Sequence, residues 1–141
     1  ELLGTLDESC AFLSLAALYL PKKEYRGLIG RVEKDLQSLM AEAAGDKNIK
    51  LQVERIVWLE REIDHWGEGI LAPSEFLYSW NVPASALLNV ARTVIRRAER
   101  IAVGYVHSHP IANHNWLVYL NRLSSLLFVL QLRIENPPQE E

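Results

Sequence analysis

Cysteine is nearly absent from this chain of 141 residues: Cys10 is the only one. No internal disulfide can form, which fits a reducing compartment. Long apolar runs are also lacking. The longest, Cys10 to Leu20, spans 11 residues and already contains Ser14, too short to cross a bilayer. There is no basic stretch followed by a small-residue cleavage pattern, so no secretory signal is read. Acidic residues are scarce in one region only. Residues 77–134 carry six Arg and a single acid, Glu99, whereas residues 1–76 carry nine Lys or Arg against fourteen Asp or Glu. The net charge of -3 argues against a general nucleic-acid binder. A basic segment inside an acidic protein suits a local anionic ligand better than a polyanion. These features lead us to expect a cytoplasmic protein without a membrane or nucleic-acid partner. The chain opens at Glu1 rather than Met, so a further N-terminal piece is expected.

What is present is a core-forming composition, 49% hydrophobic and 23% charged, in a length that suits one domain over residues 1–141. Five helical segments and no strand are read. The first runs from about Leu6 to Leu20, with Thr5 and Glu8 spaced as a capping box and Pro21 closing it. The second runs from Lys23 to Ala44, where Tyr25, Leu28, Ile29, Val32, Leu36, Leu39 and Met40 make one stripe. The third, about Lys50 to Trp66, places Val53, Ile56, Val57, Ile63 and Trp66 on one side. A connection of unusual length, Gly67 to Val82, then leads to Pro83, a residue suited to a first helical turn. The fourth helix ends near Val106. The segment from His107 to Asn113 reads as a turn, and the fifth helix covers Asn115 to Ile134. An all-α, five-helix up-and-down bundle is expected.

Arg92, Arg96 and Arg100 recur every four residues and share a face of the fourth helix with Asn89 and Thr93, with Arg97 beside them. Leu87, Leu88, Ala91, Val94, Ile95, Ala98 and Ile101 form the opposite, core face. Like charges four apart repel. The stripe is either a solvated face paired to acids from other helices or a phosphate clamp, since guanidinium forks match phosphate oxygens. On the fifth helix Asn121, Arg122 and Ser125 notch an otherwise apolar surface. Two metal-like patterns are incomplete. His107-Ser108-His109 lacks the third ligand of a zinc site. Glu62-x-x-His65 stands alone where a di-iron bundle needs two such pairs. No protein metal site is assigned, and Cys10, beside Phe12 and Leu13, reads as core.

PASALLNVARTVIRRAER (83–100) and YLNRLSSLLFVL (119–130) resemble two signature stretches of the ATP:cob(I)alamin adenosyltransferases of the propanediol-utilisation and mitochondrial type. GTLDESCAFLSLA (4–16) resembles their N-terminal segment. The resemblance covers nearly the whole chain in one register. It implies transfer of the 5′-deoxyadenosyl group of ATP to cob(I)alamin, with Mg²⁺ accompanying the ATP, in a homotrimer whose sites lie between subunits. A reductase and an adenosylcobalamin-dependent enzyme are the implied protein partners. Carried over by position, Arg92, Arg96, Glu99 and Arg100 belong to the ATP site, as do Asn121, Arg122 and Ser125. Asp7 pairs across subunits with the Arg at position 92. Phe76 lies beneath the corrin ring, where it would exclude a lower axial ligand, and Asn89 stands at a cobalamin-facing position. Arg92, Phe76 and Asp7 are thus the residues expected to matter most for catalysis. The chain departs from the family pattern at Tyr78-Ser79-Trp80-Asn81, where a Gly-rich stretch is usual, at Asn89 in place of His, and at Ser125 in place of an acid. The family's ATP loop, which precedes Gly4, is not in this sequence. The alternative reading is a non-catalytic relative that binds ATP or cobalamin as a carrier or assembly partner.

Overall fold

The computed structural model describes residues 1–70 and 80–138. They form five helices: α1 (Leu2–Ala17), α2 (Lys23–Ala43), α3 (Val53–Gly67), α4 (Pro83–Ser108) and α5 (Asn115–Glu135). Four of the five begin within about four residues of the position the periodicity gives, and α1 begins one turn earlier. The Thr5 capping box is not formed. Leu2 is itself buried, so the apolar stripe Leu2, Leu6, Leu13, Ala16 carries the helix past Thr5. Thr5 and Ser9 sit inside the helix, each donating its hydroxyl to the carbonyl four residues back, Glu1 O and Thr5 O, both at 2.9 Å. Those bonds let two hydroxyls be buried without leaving donors unpaired.

Helix α2 buries Tyr25, Leu28, Ile29, Val32, Leu36 and Leu39 along the expected stripe. Gly45, at φ 104°, supplies the left-handed turn beyond its end. Helix α3 starts later than expected. Leu51 is buried and its N–H donates to Glu42 Oε1 at 2.9 Å, which holds the preceding residues out of the helix. Its core face also differs. Val53 and Val57 are about half exposed, and Trp58 and Leu59 are the buried residues. Helix α4 reaches Ser108, so His107 belongs to it rather than to the turn.

The helices pack in the spatial order α2, α1, α4, α5, α3, with α4 and α5 in the closest association. Core side chains from all five helices meet, led by Leu88, Ile95, Leu120, Leu123, Leu127 and Leu130. Burying each such side chain contributes about 1.5–3 kcal/mol relative to exposure. Helix α5 is the one helix among the described residues whose length and mean hydropathy, 1.3, would suit a bilayer, and half of that stretch is buried against other helices. Where α2 faces α3, the gap is bridged by side chains: Arg55 forks onto Asp35 and Arg31 lies 3.9 Å from Glu62. A cleft of about 790 Å³ opens there over Trp58 and Trp66. None of the expected site residues among the described residues lines it.

Candidate functional site

Helix α4 carries its arginines on the face away from Leu88, Ala91, Ile95 and Ala98, which are fully buried. Arg92 is half-buried. Its Nε and Nη2 both donate to Asn89 Oδ1, at 3.1 and 3.0 Å. Burial, then the neighbouring Arg96 charge, push the Arg92 guanidinium below its ordinary pKa, although arginine stays charged throughout the physiological range. One turn on, Arg96 Nη1 lies 2.8 Å from Glu99 Oε2. The other oxygen of Glu99 accepts from Asn121 Nδ2 at 3.1 Å, which ties α4 to α5. Arg97 turns the other way and pairs with Glu8 of α1. Arg100 is exposed, and neither it nor Arg92 has a carboxylate within ion-pair distance among the described residues.

The α5 side of the face is held by α3. Arg122 Nε lies 2.5 Å from Glu60 Oε1. The contact is electrostatic, since the buried N–H is not aligned for a hydrogen bond. Arg122 Nη1 donates to Ser125 Oγ at 3.4 Å. Contacts thus link Arg96 and Glu99 of α4 with Asn121 of α5, with Arg92 and Arg100 on the same face of α4, whereas among the described residues Arg122 contacts Ser125 and Glu60 of α3. On α4, Arg92 and Arg100 are forked donors without a carboxylate partner among the described residues, chemistry that suits phosphate oxygens.

Asp7 is exposed on α1 and makes no ion pair among the described residues. Phe76, like Tyr78 and Ser79, lies outside the described residues. Trp80 packs edge-on to Phe128 at 6.2 Å. The two metal-like patterns serve local structure. Glu62 accepts from Trp66 Nε1 at 2.9 Å. His109 stacks on Tyr105, with ring centroids 4.1 Å apart, and its Nδ1 lies 2.9 Å from Tyr105 O. Sequence reasoning missed Glu60 and Glu8 as partners of Arg122 and Arg97. It also ended the fifth helix at Ile134, whereas Glu135 is the last residue of α5 and caps α4. An acid and a base in the closing turn of a helix, just before Asn136-Pro137, were the available signal.

The family model for cobalamin adenosyltransferases matches residues 1–134. This chain belongs to the cobalamin adenosyltransferase family. Among its relatives is the corrinoid adenosyltransferase of Mycobacterium tuberculosis, 36% identical over 140 residues, covering 93% of this chain and 72% of the relative. That of Bacillus subtilis is 32% identical over 136 residues, covering 91% and 69%. The fold matches a variant of the PduO-type ATP:corrinoid adenosyltransferase from Lactobacillus reuteri complexed with cobalamin and ATP, with TM-score 0.82, 22% identity, and coverage of 95% of this chain and 78% of that one. The five helices of this family member are thus those of the PduO-type fold, and its enzymatic class is that of the corrinoid adenosyltransferases.

Proposed function

We propose that the chain transfers the 5′-deoxyadenosyl group of ATP to cob(I)alamin, and that the α4–α5 face holds the triphosphate. The carrying observation is the surplus of guanidinium charge on that face, in a chain whose residues 1–134 match the family. In the reaction the electron pair of Co(I) forms the cobalt–carbon bond. The bond from the 5′ carbon to the triphosphate oxygen breaks, and triphosphate leaves with that pair. No protein nucleophile or general base is required. The protein's work is to orient two reactants and to stabilise charge growing on the leaving group.

Arg92, Arg96 and Arg100 supply that charge from α4, and Arg122 supplies it from α5. Asn121 and Glu99 lock the helices at the distance the clamp needs. Glu99, bonded to Arg96 and Asn121, is the single acid of residues 77–134. Among the described residues no three carboxylates, histidines or cysteines gather as a metal cage. A Mg²⁺ accompanying the ATP would be held mainly by phosphate oxygens and water. Phe76 and Asn89 are assigned to the corrinoid. Asp7, exposed and without an ion pair among the described residues, supports its pairing with Arg92 of another copy, in a homotrimer of closed symmetry.

The test is direct. Purified protein is mixed with ATP and chemically reduced cobalamin, and the loss of Co(I) absorbance is followed together with triphosphate release. Stoichiometric adenosylcobalamin and triphosphate are expected. Tight binding of both substrates without product would leave the carrier reading standing instead. A stable monomer at micromolar concentration by sedimentation would remove the intersubunit role of Asp7.

A further inference from the structure

Helices α2 and α3 stand at the two ends of the packing order, and the cleft of about 790 Å³ between them is open to solvent. Its size lies in the range of small-molecule pockets, roughly 300–1,000 Å³. Neighbouring residues of α3 face opposite ways here. Glu60 turns to Arg122 of α5, whereas Arg61 and Glu62 turn to the cleft.

Three features of the walls serve no contact within the fold. The first is charge. Lys23, Arg31 and Arg61 line the cleft together with two acids, Glu24 and Glu62, which leaves a surplus of one positive charge. Glu62 already accepts from Trp66 Nε1 at 2.9 Å. Lys23 and Arg61 have no carboxylate within ion-pair distance among the described residues. The second is the pair of guanidinium groups over Trp58. Arg55 lies 4.4 Å from the ring centroid and is answered by its fork onto Asp35. Arg31 lies 5.2 Å from the same centroid, is more than half exposed, and reaches Glu62 only at 3.9 Å. Its donors are left for a partner in the cleft.

The third feature is Gly27. It lies inside α2, where glycine costs helix stability relative to alanine. A Cβ built there would meet nothing within 4 Å, so no described neighbour requires a glycine. It leaves the α2 wall bare between Lys23 and Arg31, one turn to either side. On the α3 side Trp66, whose ring centroid lies 4.7 Å from that of Tyr25, offers an indole. Bare backbone, an indole and a half-exposed guanidinium together suit a flat ring that carries negative charge. A surplus of one charge fits a monoanion and not a triphosphate.

We propose that the α2–α3 cleft binds a planar aromatic monoanion, with the ring over Gly27 and Trp66 and the anionic group between Arg31 and Arg61. The site is separate from the α4–α5 face and does not rest on the function proposed for that face.

Three probes share one ring system and differ in charge: the naphthoate anion, neutral naphthalenemethanol and the naphthylmethylammonium cation. Calorimetry measures their binding to the full chain, Arg31→Gln, Arg61→Gln and Gly27→Leu, with melting recorded alongside. Naphthoate should bind about tenfold more tightly than the alcohol, as for one hydrogen bond to a charged group, and the ammonium more weakly than the alcohol. Arg31→Gln should remove that preference. Arg61→Gln should weaken naphthoate about threefold, since solvent screens its exposed charge. Both should leave the alcohol within about twofold. Gly27→Leu should weaken naphthoate and the alcohol alike, by about tenfold, because its side chain fills the space over the α2 wall. Its melting should hold or rise, since leucine is the better helix former and displaces no described neighbour. Saturating ATP should leave naphthoate affinity unchanged. Equal affinities for the three probes would reduce the cleft to an apolar surface and overturn the proposal, as would no naphthoate binding at millimolar concentration. So would a Gly27→Leu protein that melts normally and binds naphthoate like the wild type. Displacement of naphthoate by ATP would put the anion on the α4–α5 face instead. Should Gly27→Leu not fold, the two glutamine variants, both at exposed positions, decide the question: unchanged naphthoate affinity in both overturns it.

Discussion

Two charged regions of this bundle obey opposite rules. Between α2, α3 and α5, Asp35 is buried and fully answered: Arg55 forks onto it at 2.8 and 3.0 Å, and Tyr119 Oη donates at 2.7 Å. Arg55 in turn lies over the Trp58 ring, 4.4 Å from its centroid. Burial and the Asp35 charge hold the Tyr119 hydroxyl far above the usual tyrosine pKa. Nothing in that cluster asks for a ligand. On the α4–α5 face, Arg92 and Arg100 have no acid among the described residues, and Glu99 is shared between Arg96 and Asn121. A closed cluster spends its interactions on folding. An open one leaves part of its charge without a partner among the described residues. Under the proposed function, that difference separates a structural arginine from a binding one.

The largest effect should come from breaking the closed cluster. Asp35→Ala leaves Arg55 and the buried Tyr119 hydroxyl without their acceptor. Removing one partner of a buried pair costs about 3–5 kcal/mol, and the partial exposure of Arg55 places this site at the low end, about 3 kcal/mol. Tyr119→Phe removes one bond to a charged group and should cost about 1.5 kcal/mol. Denaturant unfolding measures both, and the protein that remains folded should bind ATP as the wild type does. Weakened ATP binding with unchanged stability would reverse the roles of the two regions.

How much of this could be read from the sequence follows from the range of each interaction. Helical periodicity reports what lies on one helix, so the stripes of α2, α4 and α5 and the four-residue spacing of Arg92, Arg96 and Arg100 were legible. It does not report which helix lies opposite. Glu60 and Glu135 were therefore silent, although one pairs with an expected site residue and the other caps a helix start, and the pairing of Glu8 with Arg97 was likewise hidden. The start of α1 was misplaced because Thr5 and Glu8 matched a local cap pattern, while burial of Leu2 depends on the assembled core. In α3, Val53 and Val57 fitted a stripe that the bundle does not bury, and Trp58 and Leu59 are buried instead. The roles of Phe76 and Asp7 came from the family resemblance alone, since neither spacing nor composition marks them.

The next effect in size belongs to the open face. Arg100→Ala removes an exposed guanidinium with no partner among the described residues, so melting should hardly move. Loss of a hydrogen bond to a charged group contributes about 1.5–3 kcal/mol, roughly ten- to a hundredfold in ATP affinity. Arg92→Ala should lose affinity to a similar degree with a slightly larger drop in stability, because Arg92 is half-buried and bonded to Asn89. Arg122→Ala should move both quantities, since it also strands Glu60. Calorimetry and thermal melting on the same samples sharpen the comparison. If Arg100→Ala lowers stability and leaves ATP affinity alone, the face is a solvated one whose partner lies elsewhere in the chain.

The smallest effect tests whether the closed region is also closed to chemistry. Cys10 packs against the core, and its thiol is pushed up to about 11, first by burial and then by the charges of Glu33 and Asp7. In the unfolded chain the same thiol ionises near about 8.5. The folded state thus binds the proton more tightly, and the contribution of this group to stability is complete below about 8.5 and declines as pH rises toward about 11. Cys10→Ala should remove that alkaline decline while leaving ATP affinity and the acid limb of the stability profile unchanged. At pH 8 the native protein should also react with iodoacetamide about a hundredfold more slowly than the urea-unfolded chain, because the thiolate is the nucleophile. Equal rates in the two states would mean that the thiol is as open as an arginine of the α4 face, and the line drawn between the two regions would not run through α1.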